Sequence, residues 1–217
     1  MYLKKLNKNM HKNITIKSDF NQYQELFLNE NSKLNLISKN DEKFLFEKHI
    51  YDSLSFRLFY EKYNKKSNPK LLDIGCGGGF PSVPIAVEFP EINVTALDSI
   101  SKKINSVNSI KEELNLENLE TICDRAENLK GKKFDIITSR AVSDLGKISE
   151  YALPLLKKDG YFVAYKSKKA LSEIESAKNI LKKFNAKVED IIEYTLPLEE
   201  TYERNLIIIC FNNNLSD

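Results

Sequence analysis

The chain has 217 residues, which is enough for one α/β domain with an appended segment. Its 33 basic and 31 acidic residues nearly cancel, so the protein as a whole is not a strongly basic nucleic-acid binder. Three cysteines lie far apart and show no metal-ligand spacing, which indicates buried thiols in a reducing compartment. No stretch approaches the ~20 apolar residues of a membrane span, and the basic N-terminus lacks the apolar core of a signal peptide. We therefore expect a cytoplasmic protein.

The N-terminal part of the chain predicts a helical segment. Residues 1–18 carry five lysines and no acid, which is typical either of a solvated arm or of a phosphate-contacting one. Between Asp19 and Tyr63, apolar side chains recur every three or four residues, which predicts two or three amphipathic helices. A polar stretch then ends at Pro69. We place a domain boundary there, with a helical segment at 1–67 and a second domain at 68–217.

Beyond this boundary, strands and helices alternate, which predicts a parallel, doubly wound sheet. The predicted strands are 70–74, 93–98, 119–123, 134–139 and 161–165. The predicted helices are 81–88, 101–114, 146–156 and 171–184, and a turn is predicted at 158–160. Two last strands, 187–195 and 205–211, are joined without a clear helix, so we expect an antiparallel addition at one edge. The predicted fold class is α/β, with seven mostly parallel strands in a Rossmann-like sheet and an N-terminal helical extension.

A glycine-rich loop joins the first strand to its helix. It reads Asp73-x-Gly75-x-Gly77-x-Gly79, and glycine allows the backbone to approach a ligand closely. A dinucleotide-binding fingerprint would require glycine where Phe80 stands. The pattern instead resembles the S-adenosylmethionine loop of class I methyltransferases, and Asp98, at the end of the next strand, is placed to bind ribose hydroxyls. The alternatives are a glycine-rich turn without a ligand and a loop that binds NAD.

Further motifs follow in a fixed order along the chain. They are Asn31-x-x-x-Asn35-Leu36, His49-x-x-Asp52-Ser53-Leu54, the glycine loop with Phe80-Pro81-x-x-Pro84, Leu97-Asp98-Ser99 with Lys102-Lys103, Arg125-Ala126-Glu127, Thr138-Ser139-Arg140-Ala141, Lys166 and Arg204. Over about residues 20–211, this ordered set resembles the bacterial 16S ribosomal RNA guanine-N7 methyltransferases, the glucose-inhibited division protein B family. The chain departs from the family pattern at Ser82 and Ser167, where glycine is usual, and it lacks the tryptophan common before Asn31.

The resemblance implies an enzyme that transfers the methyl group of S-adenosylmethionine to N7 of a specific guanine in 16S rRNA. Its partner would be the small ribosomal subunit, with no membrane and no metal; the oligomeric state stays open, with a monomer as the expectation. Guanine N7 carries a lone pair and no proton, so catalysis would require alignment and not a general base. The alternatives are a small-molecule methyltransferase and a non-catalytic RNA-binding protein with the same fold.

The resemblance also implies the residues of the site. The cofactor-binding set is Asp73, Gly75, Gly77, Phe80, Asp98, Ala126, Glu127 and Arg140, and the catalytic set is Arg140 and Lys166. Asp73 would order the loop, and Ala126 and Glu127 would read the adenine. Phe80 has core packing as its alternative, and Glu127 the role of a plain surface acid. Arg140 would hold the methionine carboxylate, a phosphate or the target guanine, or else serve a structural role that requires a carboxylate partner. His49 is expected to be a packing or hydrogen-bonding residue outside the catalytic domain.

Overall fold

The computed structural model describes residues 14–212, so Lys4, Lys5, Lys8 and Lys12 of the predicted basic arm lie outside the described residues. The N-terminal segment is helical, as expected, but it is divided into more pieces than the periodicity predicts. These are α1 (Asn21–Leu34), α2 (Lys39–Glu42), a π-helical turn (Phe46–Tyr51), α3 (Asp52–Leu54) and α4 (Phe56–Tyr63). Among residues 14–212, no helix is both long and apolar enough to cross a membrane.

Within residues 14–212, seven strands form one sheet in the order β3-β2-β1-β4-β5-β7-β6. The strands are β1 (Lys70–Ile74), β2 (Asn93–Asp98), β3 (Leu119–Cys123), β4 (Phe134–Arg140), β5 (Leu156–Ser167), β6 (Ala186–Thr195) and β7 (Glu203–Phe211). All neighbouring pairs are parallel except the two that involve β7, which is antiparallel to both β5 and β6. The predicted sheet and its antiparallel addition are confirmed. The strand order reverses beside β1, and the carboxyl ends of β1 and β4 border the crevice in which such sheets bind ligands.

In the part of the chain that the structure describes, four further helices cover the sheet: α5 (Ser82–Glu88), α6 (Ser101–Glu113), α7 (Leu145–Ala152) and α8 (Ala170–Lys183). Short 3-10 turns lie at Ala126–Asn128 and Leu153–Leu155, so the helix predicted over 146–156 ends earlier than expected. The predicted turn at 158–160 is wrong, because β5 starts at Leu156 and carries an irregularity in its pairing with β4. A Cβ at Gly160 would lie 2.7 Å from the carbonyl oxygen of Asp135, so this glycine reflects a close backbone approach and not a chain reversal.

The N-terminal helices bury their aromatic face against the elements that follow β1. Phe20, Tyr23 and Phe27 belong to the same core cluster as Phe80 and Val83. The rings of Phe27 and Phe80 lie 4.9 Å apart between centroids. Residues on both sides of the proposed boundary near 67 therefore share one hydrophobic core, and α1 presses directly on the glycine-rich loop.

Candidate functional site

The glycine-rich loop has one closed and one open face. Gly75 has φ +74°, and a Cβ there would lie 2.5 Å from Cγ2 of Val142. Gly77 also has positive φ, at +56°, but a Cβ there would meet nothing within 4 Å. The backbone at Gly77 therefore borders open space, which is the kind of cradle that a bound ligand fills.

Asp73 fixes this loop from inside the protein. Its Oδ2 accepts hydrogen bonds from the Ser82 hydroxyl at 2.8 Å and from the Ser82 N–H at 3.2 Å, and its Oδ1 accepts one from Thr138 at 3.1 Å. Burial raises the pKa of this fully enclosed carboxyl to about 6. These contacts support the predicted loop-ordering role. They also account for the departure at position 82, because the serine hydroxyl binds Asp73 where the family usually has glycine.

The predicted ribose and adenine ligands follow the next two strands of the sheet. At the end of β2, Asp98 accepts the N–H of Gly77 at 3.0 Å through Oδ2 and that of Ile100 at 2.9 Å through Oδ1. Each carboxylate oxygen keeps a second acceptor site for a diol. In the turn after β3, Ala126 is buried and Glu127 is exposed. Because the ends of parallel strands meet at one edge, these groups lie in line with the open face at Gly77, and the arrangement fits S-adenosylmethionine.

A cavity of about 600 Å³ opens beyond the loop, at the carboxyl ends of β4 and β5 and the start of β7. It brings together the two predicted catalytic residues, Arg140 and Lys166. Residues from two distant parts of the chain line it as well: Lys48, His49 and Asp52 from the N-terminal segment, and Tyr202 and Arg204 from the end of the sheet. Sequence reasoning missed that these residues meet in one cavity. His49 lies in the N-terminal segment, as expected, and the π-helical turn carries it into the cavity wall. Its contacts with Phe80 and Arg140 agree with the predicted packing or hydrogen-bonding role.

Arg140 is clamped by the N-terminal segment. Its Nη1 donates to Oδ2 of Asp52 at 3.0 Å and to the Lys48 carbonyl at 3.2 Å, and its Nη2 lies 3.2 Å from Nδ1 of His49. The guanidinium also lies 5.1 Å from the ring centroid of Phe80. The carboxylate partner that a structural arginine requires is thus present. Three of the five N–H groups of Arg140 are used in this clamp, so two are left to address a ligand.

His49 is held as a neutral imidazole. Its ring packs 5.1 Å from that of Phe80, and burial, assisted by the nearby Arg140 charge, lowers its pKa to about 4. Since Nδ1 faces a guanidinium donor, Nδ1 is the acceptor and Nε2 carries the proton. His49 therefore helps to hold Arg140, and the lone pair on its Nδ1 accepts from the guanidinium and is not available as a base.

Lys166 fixes loop 141–145, which lies between the glycine-rich loop and the cavity. Its Nζ donates to the Ser143 carbonyl at 2.6 Å and pairs with Glu173 at 2.6 Å. Glu173 also accepts the N–H of Leu145 at 3.0 Å. Within this loop, Ala141 has φ +56°, a strained backbone for a residue with a side chain. Lys166 thus holds in place the loop whose Val142 covers Gly75.

Comparisons with known proteins identify the family of the chain. The family model described as rRNA small subunit methyltransferase G, or GidB, matches residues 16–206. The chain belongs to this family. The ribosomal RNA small subunit methyltransferase G of Bacillus licheniformis is 42% identical over 195 residues, covering 88% of this chain and 80% of the relative. The protein of the same name from Bacillus subtilis is 38% identical with the same coverage.

Solved structures share the fold at low sequence identity. The YcgJ protein of Bacillus subtilis aligns with a TM-score of 0.59 at 16% identity, over 75% of this chain and 100% of that one. TYW2 of M. jannaschii in complex with AdoMet aligns with a TM-score of 0.57 at 16% identity, over 74% of this chain and 77% of that one. The fold class is confirmed by these neighbours. Membership of the family confirms the predicted enzyme class, a methyltransferase that uses S-adenosylmethionine.

Proposed function

We propose that this enzyme methylates N7 of a guanine in 16S rRNA, and that the 600 Å³ cavity receives the base. One observation supports this most directly. Each acid of the cavity is paired with a cation: Asp41 with Lys48 at 2.7 Å, Asp52 with Arg140 at 3.0 Å, and Glu173 with Lys166 at 2.6 Å. Because these carboxylates are committed to ion pairs and His49 to Arg140, the cavity is suited to hold and orient a base and not to deprotonate one.

Guanine N7 matches such a site. S-Adenosylmethionine supplies an electrophilic methyl group on a sulfonium centre, and N7 offers a lone pair without a proton to remove. The residues then have only to align the base and exclude water. Arginine commonly donates to the O6 and N7 edge of guanine, and we assign the two free N–H groups of Arg140 to O6, so that N7 stays available to attack.

The cofactor would lie along the carboxyl edge of β1, β2 and β3. We assign its methionine part to the backbone of Gly75 and Gly77 and its ribose to Asp98. Phe80 has its alternative role of core packing, because its ring is buried and its N–H donates to the Cys76 carbonyl. Its adenine would be read by the backbone of Ala126 and by Glu127. Asp73 and Lys166 act here as positioning residues, since the first fixes the glycine loop and the second fixes loop 141–145.

The charge of the cavity favours RNA over a small apolar metabolite. Lys48, Arg140, Lys166 and Arg204 line it, and the two arginines share the single carboxylate of Asp52. These four cations face the three acids Asp41, Asp52 and Glu173, so the cavity carries one positive charge in excess, which attracts phosphate and guanine edges. We therefore propose the small ribosomal subunit as the partner.

The test uses labelled S-adenosylmethionine and 30S subunits from a strain that lacks this protein. Nuclease digestion and nucleoside mass analysis should place the label in a single 7-methylguanosine of 16S rRNA. Subunits from a strain that has the protein should accept no label, because their site is already methylated. Transfer to a different atom, or no transfer despite measured cofactor binding, would overturn the proposal and favour a metabolite substrate or a non-catalytic RNA-binding role.

A further inference from the structure

Tyr202 lies at the rim of the cavity, and contacts with the sheet and the core fix its position. It lies in the connection between β6 and β7, where its carbonyl accepts the N–H of Leu196 at 3.1 Å. Leu196 is buried, and the half-buried ring of Tyr202 packs against the same core cluster. The ring is therefore attached to the sheet and not to a free loop.

Two cations flank this ring, and they are held very differently. Lys48 lies 5.5 Å from the ring centroid and is fixed by Asp41 at 2.7 Å. Arg204 lies 6.0 Å from the centroid, and its Nε is 3.7 Å from Oδ1 of Asp52, beyond hydrogen-bond distance. Within the described residues, the hydrogen bond of its guanidinium is a long one, 3.4 Å to the carbonyl of Glu203. Arg204 is therefore held less tightly than Lys48.

The Tyr202 ring and the Arg204 guanidinium lie near each other at the rim of the cavity, with 6.0 Å between the ring centroid and the guanidinium carbon. Two flat groups in van der Waals contact lie ~3.5–4 Å apart, so a third flat ring between them needs ~7 Å in all. The centroid-to-carbon distance is shorter than ~7 Å, so a ring can lie between the two groups only if Arg204 moves outward, which its long hydrogen bond to Glu203 allows. In the outward position the two groups would form a slot for one planar ring.

We propose that the target guanine enters this slot, with the Tyr202 ring on one face and the Arg204 guanidinium on the other. This inference rests on the proposed function and names the form of its substrate, an unpaired base displaced from its stack. Proteins that read such bases stack them on aromatic rings and on arginine planes. The other aromatic rings of the cavity are committed, because Tyr165 is buried with its hydroxyl on the Ser53 carbonyl and His49 packs on Phe80.

The test compares Tyr202→Leu with Tyr202→Phe in methylation of unmethylated 30S subunits. Leucine keeps apolar bulk but removes the stacking face, and kcat/KM for the subunit should fall about 5- to 100-fold. Phenylalanine keeps the ring and should restore near wild-type kcat/KM. Affinity for S-adenosylmethionine should not change in either variant, and Tyr202→Leu should lose no more melting temperature than the control Tyr161→Leu, which also removes a half-buried tyrosine ring. Tyr161→Leu is the matched control, because this half-buried tyrosine lies near the middle of β5 and lines a different cavity.

The outcomes separate this inference from the proposed function. If the wild-type enzyme does not methylate the subunit, the proposed function fails. If the wild-type enzyme is active and Tyr202→Leu keeps its kcat/KM, or Tyr202→Phe is as impaired as Tyr202→Leu, the stacking slot alone is wrong. Should Tyr202→Leu lose its fold or its cofactor affinity, Arg204→Lys decides, because lysine keeps the charge without the plane. An unchanged kcat/KM in Arg204→Lys would contradict the stacking slot. A lower kcat/KM with unchanged cofactor affinity would support it.

Discussion

Nη1 of Arg140 donates to the buried carboxylate of Asp52 at 3.0 Å, although the two residues lie 88 positions apart in the sequence. The same carboxylate accepts the Tyr194 hydroxyl at 2.7 Å. One enclosed anion thus joins the N-terminal helical segment to β4 and β6. The segment is part of the wall of the cavity, and its ion pair sets the direction in which Arg140 points.

Replacing Asp52 by asparagine should damage both stability and activity. The change leaves the partly buried Arg140 charge without its counter-ion. Removing one partner of a fully buried pair typically costs ~3–5 kcal/mol of unfolding free energy, so we expect about 2–3 kcal/mol here. Urea denaturation measures this cost, and the methylation rate on 30S subunits should fall with it. Asp41→Asn is the control, because its pair with Lys48 is more exposed and should be worth under ~1 kcal/mol. Equal effects of the two substitutions would contradict the clamp.

Gly77→Ala should lower the affinity for S-adenosylmethionine by more than its loss of stability explains. The alanine would adopt φ +56° at a cost of about 1–2 kcal/mol, and its Cβ would project into the open face assigned to the cofactor. Gly131→Ala is a matched control, since Gly131 has φ +78° and equally open surroundings on a loop away from that face. Both variants should lose similar stability in thermal melts. Gly77→Ala alone should lose affinity for S-adenosylmethionine in equilibrium binding, and equal affinity in both would refute the assignment.

The sequence predicts the sheet well because its signals are local. The bounds of β1 and β2 follow directly from apolar runs that end in an acid or a glycine loop. Gly160 misleads, because a glycine that admits a neighbouring backbone has the same letter as one that allows a turn. The distinction depends on β4, which is distant in sequence.

The positions of Asp73 and Asp98 at one edge of the sheet follow from the sequence more readily than the residues that line the cavity. Asp73 and Asp98 stand at strand ends, where the fold itself assigns ligand contacts. Asp52 and His49 reach the cavity through the packing of a helical segment, and no local pattern encodes that docking. The structure itself marks this region, because His49 lies in a π-helical turn and such turns occur often at functional sites.

A fragment that starts at residue 68 should not fold stably. Without the N-terminal helices, Phe80 and Gly78 would lose the ring of Phe27, and a large part of the core cluster would face water. Removing one buried phenylalanine typically costs ~3–5 kcal/mol, and here several buried side chains are lost together. Circular dichroism and amide exchange of residues 68–217 should show no cooperative unfolding. A cooperative fragment that binds S-adenosylmethionine would establish the boundary as that of an independent domain.

Asp135 should contribute stability that is lost in acid. Burial opposes its ionisation, but hydrogen bonds from Lys66, the Lys70 N–H and Lys157 outweigh this and lower its pKa to about 2. Because the unfolded pKa is ~3.9, the contribution is complete above pH ~4 and disappears as the pH falls through about 2. The partly exposed lysines are screened by solvent, so we expect ~1–2 kcal/mol. Urea denaturation of wild type and Asp135→Asn should differ by that amount at pH 5 and converge toward pH 2.

The methylation rate should be independent of pH between 7 and 9. His49 has a pKa of about 4, so it stays neutral over this range, and guanine N7 has no proton to lose. The measurement is kcat on unmethylated 30S subunits at constant ionic strength, with subunit integrity checked at each pH. His49→Gln is the informative variant, because its amide oxygen can still accept from Arg140 while it cannot act as a base. A retained rate in that variant supports a positioning role, whereas a rate that rises with a pKa near 7 in wild type and is lost in the variant would identify His49 as a general base.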